Sequence, residues 1–343
     1  MALEFGVDTF GDVTRDPAGV PLPHAQVLRN VVAQAELADQ LGLDFFMVGE
    51  HHRRDFAISA PEVLLAAIAG RTERIHLGTA VTVLSSDDPV RVFQRFATLD
   101  AVSSGRAEII LGRGSFTESF PLFGYDLADY EQLFEEKVAL FALVREQEPV
   151  SWPGGLRAAI DNQSVYPHLE HGLLRTWSGV GGSPESVVWA AHYGFGLVLA
   201  IIGGSAQRFV PFADLYRRAL AEFGRPELPI AFHSPGHLSD TDEEAQEEFY
   251  PHYAAMMTTI GRERGWPPMT RQRFEHELGP DGSLLVGAPQ TVATKIANAV
   301  RALGASRVHF KFSNGSLPHE SMLHSLELYA TQVAPLVREQ LGH

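Results

Sequence analysis

Apolar runs of six to ten residues, rich in Val, Ile, Leu and Phe, alternate along this chain with stretches of helical period. The runs are "EFGVDTF" (4–10), "DFFMVG" (44–49), "IHLGTAVTVL" (75–84), "AEIILG" (107–112), "LLRTWSG" (173–179), "GLVLAII" (196–202), "PIAFHS" (229–234) and "RVHFKF" (307–312). Their length and β-branched content predict strands buried on both faces. Between them, Val27, Leu28, Val31, Val32, Ala35 and Ala38 mark one helical stripe, and Ile296, Ala299, Val300 and Leu303 another. "GRPELP" and "LGAS" read as helix stops ahead of the next strand. Eight βα units joined by right-handed crossovers close most simply into a (β/α)8 TIM barrel. A doubly wound open sheet calls for a Gly-rich GxGxxG turn after the first strand, and "VDTFGDVTRD" has none.

Two stretches interrupt the rhythm. Residues 145–172 carry Pro149, Pro153, Gly154, Gly155 and Pro167 and predict a hairpin-like excursion. Residues 235–283 are too long for one βα connection and predict either a lid or a solvated decoration. The expectation is one barrel domain over residues 1–343 with two insertions.

Composition narrows the functional classes. The 343 residues include 45% hydrophobic and 20% charged, enough for a large core. A net charge of −15 argues against nucleic-acid binding, which needs a basic footprint. The chain has no cysteine, so disulfides, thiolate metal sites and a Cys nucleophile are excluded. No apolar run reaches the roughly 18 residues of a membrane span. With no signal-peptide pattern at "MALEFGVDTF", a soluble cytoplasmic protein is expected.

Barrel active sites form at the C-terminal strand ends. Those ends supply Thr9 and Phe10, Glu50 and His51, Thr79 to Thr82, Arg113 and Ser115, and Gly179 to Ser183. In "WSGVGGSPESVVWAAHYG" (177–194) a strand gives way to glycines and then to a helix, with Ser183 as N-cap and Pro184 at the first helical position. Gly181 and Gly182 leave the main chain open, and Ser183 and Ser186 carry hydroxyls, so the turn suits an anion. It also fits an ordinary capped helix. Arg113, between two glycines beyond a buried strand, suits either a phosphate or a carboxylate partner. The "EHH" at 50–52 lacks metal-ligand spacing, so no metal is expected. His51 reads as a proton-handling group that Glu50 could orient, or as a polar loop residue. Phe10, Phe56, Phe116, Trp177, Trp266, Met256 and Met257 fit either an apolar pocket or plain core.

The order of the "EHH", "DPVR", "LDAVSSGR" and "GRGS" elements, together with "GVGGSPESVVWAAHYGFGLVLAIIGG" and the closing "VGAPQTVATKIANAV", resembles the bacterial luciferase-like flavin-dependent monooxygenases. The resemblance implies a (β/α)8 barrel taking reduced FMN, supplied by a separate flavin reductase, with dioxygen and a small organic substrate. It makes His51 the catalytic acid/base. It lays Thr79, Ala80 and Val81 along the flavin ring with a non-proline cis peptide at Ala80–Val81. It assigns Arg113, Gly181, Gly182, Ser183 and Ser186 to the FMN phosphate. It further implies a homodimer. Some relatives use F420 instead, so a hydride-transfer reductase using F420 or FMN is one alternative, and a non-catalytic flavin-binding protein another. Gly112 stands where luciferases proper carry a cysteine, which counts against light emission.

Overall fold

The computed structural model describes residues 3–16, 18–114 and 116–342. Its strands are β1 (Glu4–Thr9), β2 (Phe45–Val48), β3 (His76–Thr79), β4 (Thr82–Val83), β5 (Ala107–Gly112), β6 (Val150–Trp152), β7 (Ile160–Gln163), β8 (Arg175–Val180), β9 (Gly196–Ala200), β10 (Ile230–Leu238), β11 (Leu285–Gly287) and β12 (Arg307–Lys311). Eight of them form a ring. The hydrogen-bonded order β1–β2–β3–β5–β8–β9–β10–β12 returns to β1, and every pairing is parallel. This is the (β/α)8 TIM barrel that the alternation of runs predicts.

Each strand is sealed by helices that turn their apolar stripe inward. In the helix His24–Gln40, Val27, Val31, Ala35 and Ala38 are buried, while Leu28 and Val32 lie at the edge of the stripe. In Pro289–Leu303, Ile296, Ala299, Val300 and Leu303 are all buried. Inside the ring a second, smaller apolar cluster of Ile110, Trp177, Val198 and Ala231 fills the middle, with Ala80 and Val81 packed on it.

Three elements differ from the sequence expectation. The run 75–84 is not one strand: β3 and β4 are separated by a cis Ala80–Val81 peptide, and β4 continues the pairing with β5 on its own. The seventh barrel strand runs to Leu238, because β11 pairs with its last turnward residues at Gly236 to Leu238. The second excursion therefore starts later than 235, and it consists of the helices Asp242–Arg264 and Arg271–Leu278. In the first excursion, β6 and β7 make a separate antiparallel pair.

The N-terminal end of the barrel is closed by charge. Glu108 and Arg307 are fully buried and meet at 2.8 Å; Arg175 reaches Glu108 at 2.9 Å, and Trp177 Nε1 donates to it at 3.1 Å. Burial pushes the Glu108 carboxyl up, but Arg307 and Arg175 together hold it below the usual range. Removing one partner of such a network leaves an uncompensated buried charge. Glu108→Ala should therefore cost about 3–5 kcal/mol, read as a lowered urea midpoint. Ligand binding at the opposite end should be retained in the folded fraction.

Candidate active site

The C-terminal strand ends open into a cavity of about 410 Å³. His51, Ala80, Val81, Arg113, Gly181, Gly182, Ser183 and Ser186 all line it, so residues from four separate strand exits share one mouth. Thr79 does not reach it. That side chain is fully buried, hydrogen-bonded to Thr82 Oγ1 at 2.8 Å, and so braces the backbone on either side of Ala80–Val81. Ser115 lies outside the described residues.

The lining of the cavity includes the glycine turn that the sequence marks as suited to an anion. Ser183 caps the helix Pro184–Tyr193: its Oγ accepts from the Ser186 amide at 3.2 Å and from the Ser186 hydroxyl at 3.3 Å. A Cβ added at Gly181 or Gly182 would meet nothing within 4 Å, so no protein packing fills that space. Arg113 faces it from the end of β5. The guanidinium is flanked by the rings of Phe134 and Trp189 at 5.2 and 5.4 Å and paired with Glu131, yet its buried Nε has no partner among the described residues. The carboxylate partner expected for Arg113 is thus present as Glu131. Glu131 is 64% exposed, and an exposed carboxylate is a weak, replaceable partner. An open main-chain cradle beside an under-satisfied guanidinium fits the phosphate of a flavin nucleotide.

One wall of the cavity follows from close packing around Val81. A Cβ at Gly112 would lie 2.5 Å from Val81 Cγ2, and one at Gly179 3.0 Å from Val81 Cγ1. The two glycines make the slot that this valine occupies. Gly112→Cys, the residue found in luciferases, must therefore displace Val81. Overpacking of this kind costs about 1–3 kcal/mol. The expected result is a lower melting temperature, only partly restored by adding Val81→Ala, because the Val81 Cβ would itself lie 2.9 Å from the new side chain.

His51 sits in an aromatic box. Its ring lies 4.9 Å from Phe10, 4.5 Å from Phe56 and 5.1 Å from Phe116, centroid to centroid. Burial, reinforced by the positive charges of Lys311, Arg53 and Arg264 and by His52, lowers its pKa from 6.5 to about 3. The ring is accordingly neutral near pH 7. Glu50 does not orient it: that carboxylate bonds His52 Nε2 at 2.8 Å and accepts from the Val83 amide at 3.0 Å. Adjacent residues leaving a strand point in different directions, and here the second imidazole, not the first, turns toward the acid.

Phe10, Phe56, Phe116, Trp266, Met256 and Met257 line the cavity, whereas Trp177 belongs to the barrel filling beside Arg307 and Glu108. The helix Asp242–Arg264 lines the cavity with Tyr253, Met256, Met257 and Ile260, and Glu263 ties it to Arg53 by two bonds of 2.5 and 2.7 Å. The polar lining residues not singled out from the sequence include His233, Arg264, His309, Lys311 and Asn314. The strand-end rule, carried on to "PIAFHS" and "RVHFKF", marks His233 and Lys311 as readily as it marks His51.

The sequence model of the luciferase-like monooxygenases matches residues 4–307. The chain belongs to that family. It is 24% identical to the alkanal monooxygenase alpha chain of Photorhabdus luminescens, covering 92% of this chain and 93% of that one. Among solved structures, monooxygenase RslO1 from Streptomyces bottropensis superposes with a TM-score of 0.84 at 22% identity, covering 97% and 99% of the two chains. The oxygenating constituent of 3,6-diketocamphane monooxygenase from Pseudomonas putida, in complex with FMN, gives 0.79 at 19%, with the same coverage. The coenzyme F420-dependent tetrahydromethanopterin reductase of Methanopyrus kandleri gives 0.71 at 17%, covering 98% and 99%. The family member described here is an oxidoreductase-type enzyme with the barrel these proteins share.

Proposed function

We propose that the protein is a flavin-dependent monooxygenase that uses reduced FMN and dioxygen to oxygenate a small, largely apolar organic substrate. The observation that carries this reading is the meeting, in one cavity, of an open glycine cradle beside Arg113 and an aromatic-boxed His51. When bound, a reduced flavin supplies the electrons that activate oxygen. Arg113, Ser183, Ser186 and the 181–182 main chain hold the phosphate. Ala80 and Val81 back the ring, kept in place by the glycine slot. His51, neutral at working pH, accepts or passes on a proton at a ring nitrogen. Phe10, Phe56 and the helix Asp242–Arg264 exclude water, which favours productive oxygen transfer over wasteful discharge.

The reading includes a homodimeric cytoplasmic enzyme fed by a separate flavin reductase, as the family resemblance implies. Among the described residues no helix is long and apolar enough to cross a membrane. The test is a pair of titrations, with FMN and with F420, in both redox states. Mixing of the reduced complex with oxygen follows, against a panel of apolar aldehydes and ketones. Tight FMN binding and substrate-dependent oxygen incorporation are expected. Anaerobic turnover with F420 would replace this reading by the hydride-transfer one, and stable FMN binding without any turnover would leave a flavin carrier.

A further inference from the structure

The cavity holds a second imidazole whose setting is the opposite of the first. His233, near the end of β10, lines the cavity and presents Nδ1 to Asp8 Oδ2 at 2.9 Å. Asp8 comes from β1 and is fully buried. With Nδ1 engaged by Asp8, Nε2 is the ring atom left for the cavity. Phe10 stands between the two imidazoles, stacked on His233 at 6.4 Å with 3° between planes and edge-on to His51 at 4.9 Å. His51 has no carboxylate partner among the described hydrogen bonds, whereas His233 is fixed by one in tautomer and in ring orientation.

The surroundings of His233 restrict what it meets. The cavity that His233 lines also carries the apolar side chains of Phe10, Pro235, Met256 and Ile202. The Lys311 ammonium is already engaged by Asp12 at 3.4 Å and by the Ser313 carbonyl, and it lies 4.3 Å over the Phe10 ring. His309, deeper in the barrel, is buried with both ring nitrogens unpartnered, and burial pushes its pKa well below the usual range. Among the described residues no cluster of His, Asp or Glu has the arrangement of a metal site, so the Asp8–His233–His309 group is not one. Asp8 is thus a positioning residue, and the atom it positions is Nε2.

We infer that His233 determines specificity. Held by Asp8, it hydrogen-bonds the single oxygen function, hydroxyl or carbonyl, of an otherwise apolar substrate lodged under Met256. The inference rests on the flavoenzyme reading for the reaction itself, but not for the contact. Nε2 accepts from a hydroxyl in the neutral ring and donates to a carbonyl when the ring is protonated. A substrate lacking oxygen leaves Nε2 without a partner, and a dehydrated nitrogen without one disfavours binding.

The test uses the full chain loaded with oxidised FMN and three probes of equal carbon skeleton: cyclooctanone, cyclooctanol and cyclooctane. Affinities are measured by NMR titration for the wild type and for His233→Asn, His233→Gln and Asp8→Asn. His233→Asn retains an amide near the Nδ1 position for Asp8 but lacks reach; His233→Gln extends an amide toward the Nε2 position. The expected result is a loss of about tenfold in ketone or alcohol affinity for His233→Asn, a hydrogen bond's worth. Cyclooctane affinity should not fall, because the variant removes the nitrogen that cyclooctane leaves unpaired, and His233→Gln should recover part of the ketone or alcohol loss. Equal losses for all three probes, an unchanged ketone and alcohol affinity in His233→Asn, or failure of every probe to bind overturns the inference. Probe binding is also measured without FMN. If FMN does not bind but the probe discrimination persists, the flavoenzyme reading fails while this one stands.

Discussion

Arg113→Ala will lower the affinity for FMN by roughly 100-fold, because it removes a guanidinium that lines the cavity with the glycine cradle. A hydrogen bond to a charged group contributes about 1.5–3 kcal/mol, and a forked contact to phosphate uses two, so about two to four decades of affinity depend on this side chain. The effect should divide by chemistry. Arg113→Lys keeps the charge but not the planar fork and should fall between wild type and alanine. Glu131→Gln should move the other way, raising affinity by up to about fivefold, since it removes an exposed carboxylate that competes for the same guanidinium. Quenching of FMN fluorescence at fixed ionic strength reads all three. Because Arg113 also packs between Phe134 and Trp189, each variant needs a melting curve. A well-folded Arg113→Ala protein with wild-type FMN affinity would remove the phosphate assignment.

The barrel was legible because burial on both faces leaves strands as unbroken apolar runs, and all eight ring strands coincide with such runs. What the sequence could not convey was direction. Glu50, His51 and His52 are consecutive, and only the path of the chain after β2 decides that Glu50 meets His52 while His51 turns toward Phe56. The same holds for Trp177, which a list of aromatics cannot separate from Phe116, yet one fills the barrel and the other faces the cavity. Thr79 and Ala80 are neighbours with opposite fates for the same reason. The pairing of Asp8 with His233 spans 225 residues and depends on barrel closure between β10, β12 and β1, so it has no local signature at all.

His51 is where local chemistry and closure combine, and its removal carries the largest expected effect on catalysis. General acid–base groups contribute about 10²–10⁴ in rate. His51→Ala should therefore reduce coupled oxygenation at least about 100-fold, scored as oxygenated product per oxygen consumed with whichever panel member turns over. FMN affinity should stay within about threefold, as the phosphate grip is elsewhere in the cavity. A merely structural imidazole is tested by its pH linkage. Its folded-state pKa of about 3 lies below the unfolded value near 6.5, so between those limits the unfolded chain binds the extra proton. Stability is then fully present above pH 6.5 and falls as the solution is acidified toward pH 3. His51→Phe fills the same aromatic box without a titrating nitrogen and should lose that part of the acid sensitivity. If His51→Phe also keeps wild-type coupling, the ring is packing and nothing more; if it is acid-resistant and uncoupled, one buried imidazole both limits stability at low pH and handles the proton.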